Sequence, residues 1–140
     1  MTTREYKLDC KGNGQIFACS EILYQKKSEF QKIEIARLDL LGKVLVLDDI
    51  IQLSALDCDV YHESFAHIPM SLTNKPKKAL ILGGGDGILA KELLKYENLE
   101  ISLVDIDKEV CDASKMFLSD LNHGSLLSLI HISEPTRQIV

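Results

Sequence analysis

Hydrophobic and polar positions change their spacing several times along this 140-residue chain, and each change predicts a different element. Short runs at Gly14 to Ala18, Glu21 to Lys26, Gln31 to Arg37, Lys43 to Leu47 and Ile50 to Leu53 are divided by polar or glycine breaks. Ile33 and Ile35 alternate with Lys32 and Glu34, the period of a half-exposed antiparallel strand. Gly42 marks a turn, and Asp48-Asp49 joins two apolar runs as a hairpin loop would. These runs predict an antiparallel meander. From Asp57 to Leu72 the period becomes helical. Val60, Tyr61, Ser64, Phe65, Ile68 and Leu72 are spaced for one helix face, Asp57 or Asp59 suits the amino-terminal cap, and Pro69 kinks or tightens the last turn.

Thr73 to Lys78 reads as a linker, and the pattern changes again after it. Ala79-Leu80-Ile81-Leu82 is a continuous apolar tetrad, which suits a parallel strand buried on both faces. Gly83-Gly84-Gly85-Asp86-Gly87 follows at once, then a helical stretch from Ile88 to Tyr96, then Ile101 to Val104 running into Asp105-Ile106-Asp107. Lys108 to Leu118 is a second amphipathic helix that turns Val110, Cys111, Ser114 and Phe117 inward. The chain is therefore expected to be α/β: a small antiparallel β domain over residues 1–55, then an incomplete parallel nucleoside-binding domain over residues 56–126.

The strand–glycine–strand unit carries the chemistry. Glycines at the carboxyl end of a strand let the backbone turn sharply and approach a ligand with no Cβ in the way. An acid about 20 residues further on, at the tip of the next strand, is placed to accept hydrogen bonds from a ribose diol. Asp105 is that acid, and Gly83, Gly84 and Gly85 form the turn. The pyrophosphate-type pattern of three spaced glycines fails, because its third position falls on Ile88. Asp86 inside the turn would repel a pyrophosphate but suits a cationic ligand bearing an amine or sulfonium.

Composition changes this picture little. Hydrophobic residues at 46% suffice for a core, and a net charge of −5 argues against a nucleic-acid partner. Lys75-Pro76-Lys77-Lys78 is a lone basic cluster that reads as a solvated turn. Cys10, Cys19, Cys58 and Cys111 are scattered without metal-site or disulfide spacing, which fits a reducing cytoplasm. Asp57-Cys58-Asp59 with His62 reads better as a helix start than as metal ligands, so no metal is expected. No apolar run approaches the about 20 residues of a membrane span, and no signal peptide opens the chain.

The segment Leu127 to Arg137 fits neither period. A third strand with a polar residue at its tip is due here, and the pattern predicts none. The peptide resembles the translation of a transposon-based sequencing-library adapter, so residues 127–140 are expected to be a non-native, poorly packed tail.

Ser28-Glu29-Phe30-Gln31, the run Gly42 to Gln52, Tyr61-His62-Glu63, Gly83 to Gly87 and Val104 to Asp107 form an ordered set. As a set they resemble spermidine synthase and the wider polyamine aminopropyltransferase family, from about Ile16 to Ser125. The resemblance implies a β domain followed by a Rossmann-like, methyltransferase-type domain. It also implies aminopropyl transfer from decarboxylated S-adenosylmethionine to putrescine, giving spermidine and 5'-methylthioadenosine, with no cofactor beyond that co-substrate. By the same resemblance Gln31 contacts the nucleoside product, and Asp105 holds the ribose hydroxyls. Tyr61 and His62 line the polyamine site, and Asp86 binds the amine of the aminopropyl group or of the product. A homo-oligomer is implied for the intact protein.

Ile88 and Lys91 depart from the family's usual glycine and arginine, and with Leu121 to Leu126 they resemble a less characterised branch, which leaves the acceptor amine open. The family's catalytic aspartate falls beyond the matched residues, so the fragment is expected to be inactive alone. A methyltransferase using ordinary S-adenosylmethionine, or a catalytically dead binding subunit, are the alternatives.

Overall fold

The computed structural model describes residues 2–8, 13–129 and 131–133, which fall into two compact units, Met1–Asp59 and Val60–Val140. Cys10 lies outside the described residues.

Five strands close into a barrel in the first unit: β1 (Thr2–Lys7), β2 (Gly14–Lys27), β3 (Lys32–Leu38), β4 (Gly42–Leu47) and β5 (Ile50–Ser54). The β1 strand is additional to the predicted meander. It pairs antiparallel with β2 and meets β5 in parallel at Lys7 and Ile50, which removes the sheet's free edges. The two runs expected at Gly14 to Ala18 and Glu21 to Lys26 are one strand. Its register shifts between Cys19 and Glu21 and again between Ile22 and Tyr24, so irregular pairing inside the strand reads as a break in alternation. Asp48 and Asp49 do form the hairpin loop, with φ of 50° and 67°. Short polar residues tolerate that left-handed conformation because their side chains bond locally. Lys32 donates its backbone N–H to Asp48 at 2.9 Å and its ammonium to Asp49 at 2.7 Å.

Tyr6, Phe17, Cys19, Ala36, Leu38, Val44 and Val46 form one apolar cluster of the barrel. Glu34 corrects the half-exposed reading of β3, because it is buried beside Ile33 and Ile35. Tyr6 donates its hydroxyl to Glu34 at 2.6 Å, Gln25 donates its amide at 2.8 Å, and Arg4 stands 3.5 Å away. A buried carboxylate is tolerable only when its lone pairs are engaged in this way. Burial and the Glu34 bond push the Tyr6 phenol well above its ordinary pKa.

Helix α1 (Cys58–Leu72) precedes the second sheet. That sheet holds β6 (Lys78–Leu82), β7 (Glu100–Val104) and β8 (His131–Ser133), all parallel, in that order. Helix α2 (Ile88–Leu93) connects β6 to β7. Helices α3 (Lys108–Phe117), α4 (Ser119–Asn122) and α5 (Ser125–Ser128) connect β7 to β8. Ala66, Ile81, Ala90, Leu93, Ile101, Leu103 and Leu126 form the core.

Three expectations need correction here. The helix period over Asp57 to Leu72 is right, but Val60, Tyr61, Phe65, Ile68 and Leu72 are exposed, while His62 and Ala66 are buried. The face that packs is the less apolar one. Secondly, the β6 tetrad is buried on one face only: Ile81 is in the core, while Leu80 and Leu82 are 62% and 77% exposed. Helices α1 and α2 supply core residues on the Ile81 side, and the described residues leave the other side of β6 open. Thirdly, a short third strand is present. Residues 131–133 pair with Ser102, Leu103 and Val104, and Leu129 packs against the core, so this part of the tail is ordered against β7.

Candidate functional site

The site is built where β6 and β7 end. The N–H of Gly83 reaches the carbonyl of Val104 at 2.8 Å, which extends the parallel ladder by one bond before the turn departs. Gly83, Gly84 and Gly87 all have positive φ, between 79° and 85°. Gly85 is needed for another reason. A Cβ there would lie 2.8 Å from the Asp105 carboxylate and 3.0 Å from the Cys111 sulfur.

That closeness holds the acid. Asp105 accepts the Gly85 N–H on one oxygen at 2.8 Å and the Asp107 N–H on the other at 2.9 Å. Both oxygens are thereby oriented, and each carboxylate oxygen can accept a further bond. Asp107 in turn accepts the N–H of Glu109 at 3.1 Å and caps α3. Burial, helped by Asp105, pushes the Cys111 thiol up to about 12, so it packs against the turn as a neutral group.

Asp86 is oriented from the opposite direction. Its Oδ1 accepts the Ile88 N–H at 2.8 Å, and His62 Nε2 stands 3.9 Å away. Its side chain is mostly covered, and His62 is buried. Tyr61 lies edge-on to His62 at 5.0 Å and stacks on Phe65 at 6.0 Å, with its own ring largely exposed. Two carboxylates, a glycine turn and a buried imidazole therefore gather at one end of the parallel sheet. In open α/β sheets ligands bind at the carboxyl ends of the strands.

Of the residues singled out in the sequence, Gly83, Gly84, Gly85, Asp86, Asp105 and His62 are brought together, with Tyr61 at the side. Gln31 belongs to the first unit, in the turn between β2 and β3. Its N–H is accepted by the Ser28 hydroxyl at 3.1 Å, and its carbonyl accepts the Ser28 N–H at 2.9 Å. Among the described residues no group of three or more His, Cys, Asp or Glu side chains is arranged to hold a metal. No helix in them is long and apolar enough to cross a membrane.

Two features escape the sequence reading. Glu92 is buried behind the turn, with His67 at 3.0 Å, Lys91 at 3.4 Å and Lys95 bonded to it, while His67 also reaches Tyr96 at 2.8 Å. Glu92 stands next to Leu93 and four residues after Ile88, on the helix side that packs, and that spacing is a signal that could have found it. Asn122 at the end of α4 and Ser125 at the start of α5 bond to the glycine turn, and no spacing rule announces them.

A family model described as the spermidine synthase tetramerisation domain matches residues 2–55, and one described as the spermine/spermidine synthase domain matches residues 58–136. The chain belongs to the spermine/spermidine synthase family. Polyamine aminopropyltransferase 1 of Aquifex aeolicus is 42% identical over 109 residues, covering 77% of this chain and 39% of that protein. A spermine synthase of Saccharomyces cerevisiae is 43% identical over 115 residues, covering 80% and 38%. The crystal structure of spermidine synthase from Thermotoga maritima superposes with a TM-score of 0.88 at 31% identity, over 96% of this chain and 48% of that one. A spermidine synthase in complex with the transition-state analogue AdoDATO gives 0.85 at 30% identity, over 95% and 45%. The chain thus spans about two-fifths of the length of these curated family members.

Proposed function

We propose that this chain is the nucleoside- and amine-binding part of a polyamine aminopropyltransferase. The reaction joins the aminopropyl group of decarboxylated S-adenosylmethionine to putrescine and yields spermidine and 5'-methylthioadenosine. The observation that carries the reading is the pair of oriented acids. Asp105 is latched to Gly85 and Asp107, where it can accept a ribose diol. Asp86 is latched to Ile88 with His62 beside it, where it can pair with a cationic amine.

The chemistry follows from those positions. An uncharged amine nitrogen attacks the methylene next to the sulfonium, the new C–N bond forms as the C–S bond breaks, and methylthioadenosine leaves with the electron pair. The ammonium that forms must then lose a proton. Asp105 would fix the nucleoside, and Asp86 would fix the aminopropyl amine by a charge-assisted bond, so the line of attack is set before reaction. His62 and Tyr61 would orient the acceptor, and Gln31 would touch the nucleoside product. No cofactor or metal enters this scheme. The chain spans about two-fifths of the length of its curated relatives, so turnover is proposed for a protein of full family length. The match to a tetramerisation domain supports a homo-oligomer. A reducing cytoplasm suits the described cysteines, none of which is in a disulfide.

The test is to incubate the protein at full family length with putrescine and each sulfonium donor, and to separate the products. Spermidine and methylthioadenosine should appear with the decarboxylated donor. Methyl transfer from ordinary S-adenosylmethionine without aminopropyl transfer would overturn the proposal, and binding of the nucleoside with neither product would make the protein a dead relative.

A further inference from the structure

The glycine turn is held from behind by a segment with no role in the proposal so far. Asn122 is fully buried, and its side-chain amide donates to the carbonyl of Asp86 at 2.9 Å and to that of Ser114 at 3.3 Å. Its Oδ1 accepts the Gly124 N–H at 2.9 Å. Three residues on, the buried Ser125 donates its hydroxyl to the carbonyl of Gly87 at 2.5 Å. His123 and Gly124 between them are both left-handed, at φ of 51° and 71°. That double reversal returns the chain after α4, so that residues 122 and 125 both face the turn.

We infer that Asn122 and Ser125 are positioning residues that clamp two successive carbonyls of the glycine turn and so aim the Asp86 carboxylate at the donor; this rests on the proposed nucleoside and amine site. A turn of this composition has more backbone freedom to lose than any other. Its own bonds are few: Gly87 N–H to Gly84, Gly85 N–H to Asp105, and Ile88 N–H to Asp86. The first and third of these hold only the N–H edges of the peptide planes that carry the Asp86 and Gly87 carbonyls, the planes that fix the Cα–Cβ direction of Asp86 and the start of α2; the carbonyl edges are held separately. Asn122 restrains the first carbonyl. Ser125 restrains the second, together with the helical Lys91 N–H at 3.0 Å. Contact is close on this side: a Cβ on Gly87 would lie 2.7 Å from Leu126 and 2.8 Å from the Ser125 oxygen. Asp105 anchors the turn from the front and the 122–126 segment anchors it from behind.

The test compares Asn122→Asp, which keeps the acceptor and loses the donor, with Ser125→Ala, with Ser125→Thr as the variant that keeps the hydroxyl. Ile101→Val serves as a core control away from the turn. In the ligand-free chain, amide exchange at Gly87 and Ile88 is measured against that at Leu103, and methylthioadenosine affinity is measured by calorimetry. Asn122→Asp and Ser125→Ala should speed exchange at the turn roughly fivefold and weaken the nucleoside by a similar factor, the size of one lost hydrogen bond. Leu103 should not respond, and Ser125→Thr should restore both readouts. Exchange that rises equally at the turn and at Leu103, as in Ile101→Val, would reduce the two residues to plain core and overturn the clamp. Asp105→Ala separates the layers. If it leaves nucleoside affinity unchanged, or the unmodified chain binds none, the nucleoside reading falls, while turn exchange still decides whether the clamp exists.

Discussion

The barrel and the parallel sheet achieve order by different means. In the barrel every strand has two neighbours, and the interior acid Glu34 is served by Tyr6, Gln25 and Arg4. In the second unit β6 has one strand neighbour among the described residues and shows Leu80 and Leu82 to solvent, as α1 shows Val60, Phe65 and Leu72. Its precision lies instead in short polar latches: Asp105 to Gly85, Asp86 to Ile88, Asn122 to Asp86, Ser125 to Gly87. A closed sheet needs no further surface to bury its edges. A half-covered sheet can still hold a turn in one conformation if side chains bind its backbone directly. The two family models divide the chain at nearly the same place, matching residues 2–55 and 58–136.

The largest test of this contrast is Glu34→Ala. It strands the Tyr6 hydroxyl inside the barrel and should cost the first unit about 3–4 kcal/mol, in line with breaking a buried, bonded charge. Urea unfolding followed by amide exchange in each unit should show the loss in the barrel and no change at Leu103. An equal loss in both would mean the two stand or fall together. Gly87→Ala is the counterpart. The new methyl meets Leu126 and Ser125 at a backbone φ of +80°, and the second unit should lose about 2–3 kcal/mol from overpacking and left-handed strain. The same exchange experiment would register a barrel response as failure.

What the sequence makes legible follows the same divide. Period-two runs, the Asp48-Asp49 loop and the strand–glycine–strand unit are local signals, and they lead to the α/β order and to Asp105 beside the turn. Alternation in β3 suggests one exposed face, but Ile33, Glu34, Ile35 and Ala36 are all buried, so the strand is covered on both faces. Glu34 shares its face with the core residues Ala36 and Leu38, and Tyr6, 28 residues earlier, meets it there. The α1 face was misread because its apolar residues were assumed to be the ones that pack. Strand β1 and strand β8 were missed, since Thr2 to Lys7 is polar and His131 to Ser133 is three residues of a segment with no period. Asn122 and Ser125 act through backbone carbonyls, which leave no partner residue type to search for.

Asp105→Ala should sharpen the comparison at the ligand. Removing an acceptor that serves both the turn and the proposed ribose hydroxyls should weaken methylthioadenosine by about 1.5–3 kcal/mol, the range for a bond to a charged group. Calorimetry on the full-length protein measures it. Unchanged affinity would leave Asp105 as a latch for Gly85 and nothing more.

Acid and base should distinguish the two units with the smallest effects. In the second unit, burial drives the Glu92 carboxyl up, but Lys95, His67 and Lys91 together outweigh it and hold the group below its ordinary value. A carboxyl depressed by folding contributes stability that is present above its unfolded pKa, about 4.3, and is lost as pH falls through the lower folded value. In the barrel, burial and then Glu34 raise the Tyr6 phenol. A raised phenol contributes stability that is complete below its unfolded value, about 10, and is lost as pH climbs toward the folded one. Asp49 in the barrel is also depressed, chiefly by its bond to Lys32, but it is more than a third exposed and solvent screens it. The second unit should therefore soften first below about pH 4, and the barrel first above about pH 10. Amide exchange across that range reads both. Glu92→Gln should flatten the acid limb of the second unit alone, and Tyr6→Phe the alkaline limb of the barrel alone. If either substitution flattened the other unit's limb, the division into a self-closed barrel and a latch-held sheet would not hold.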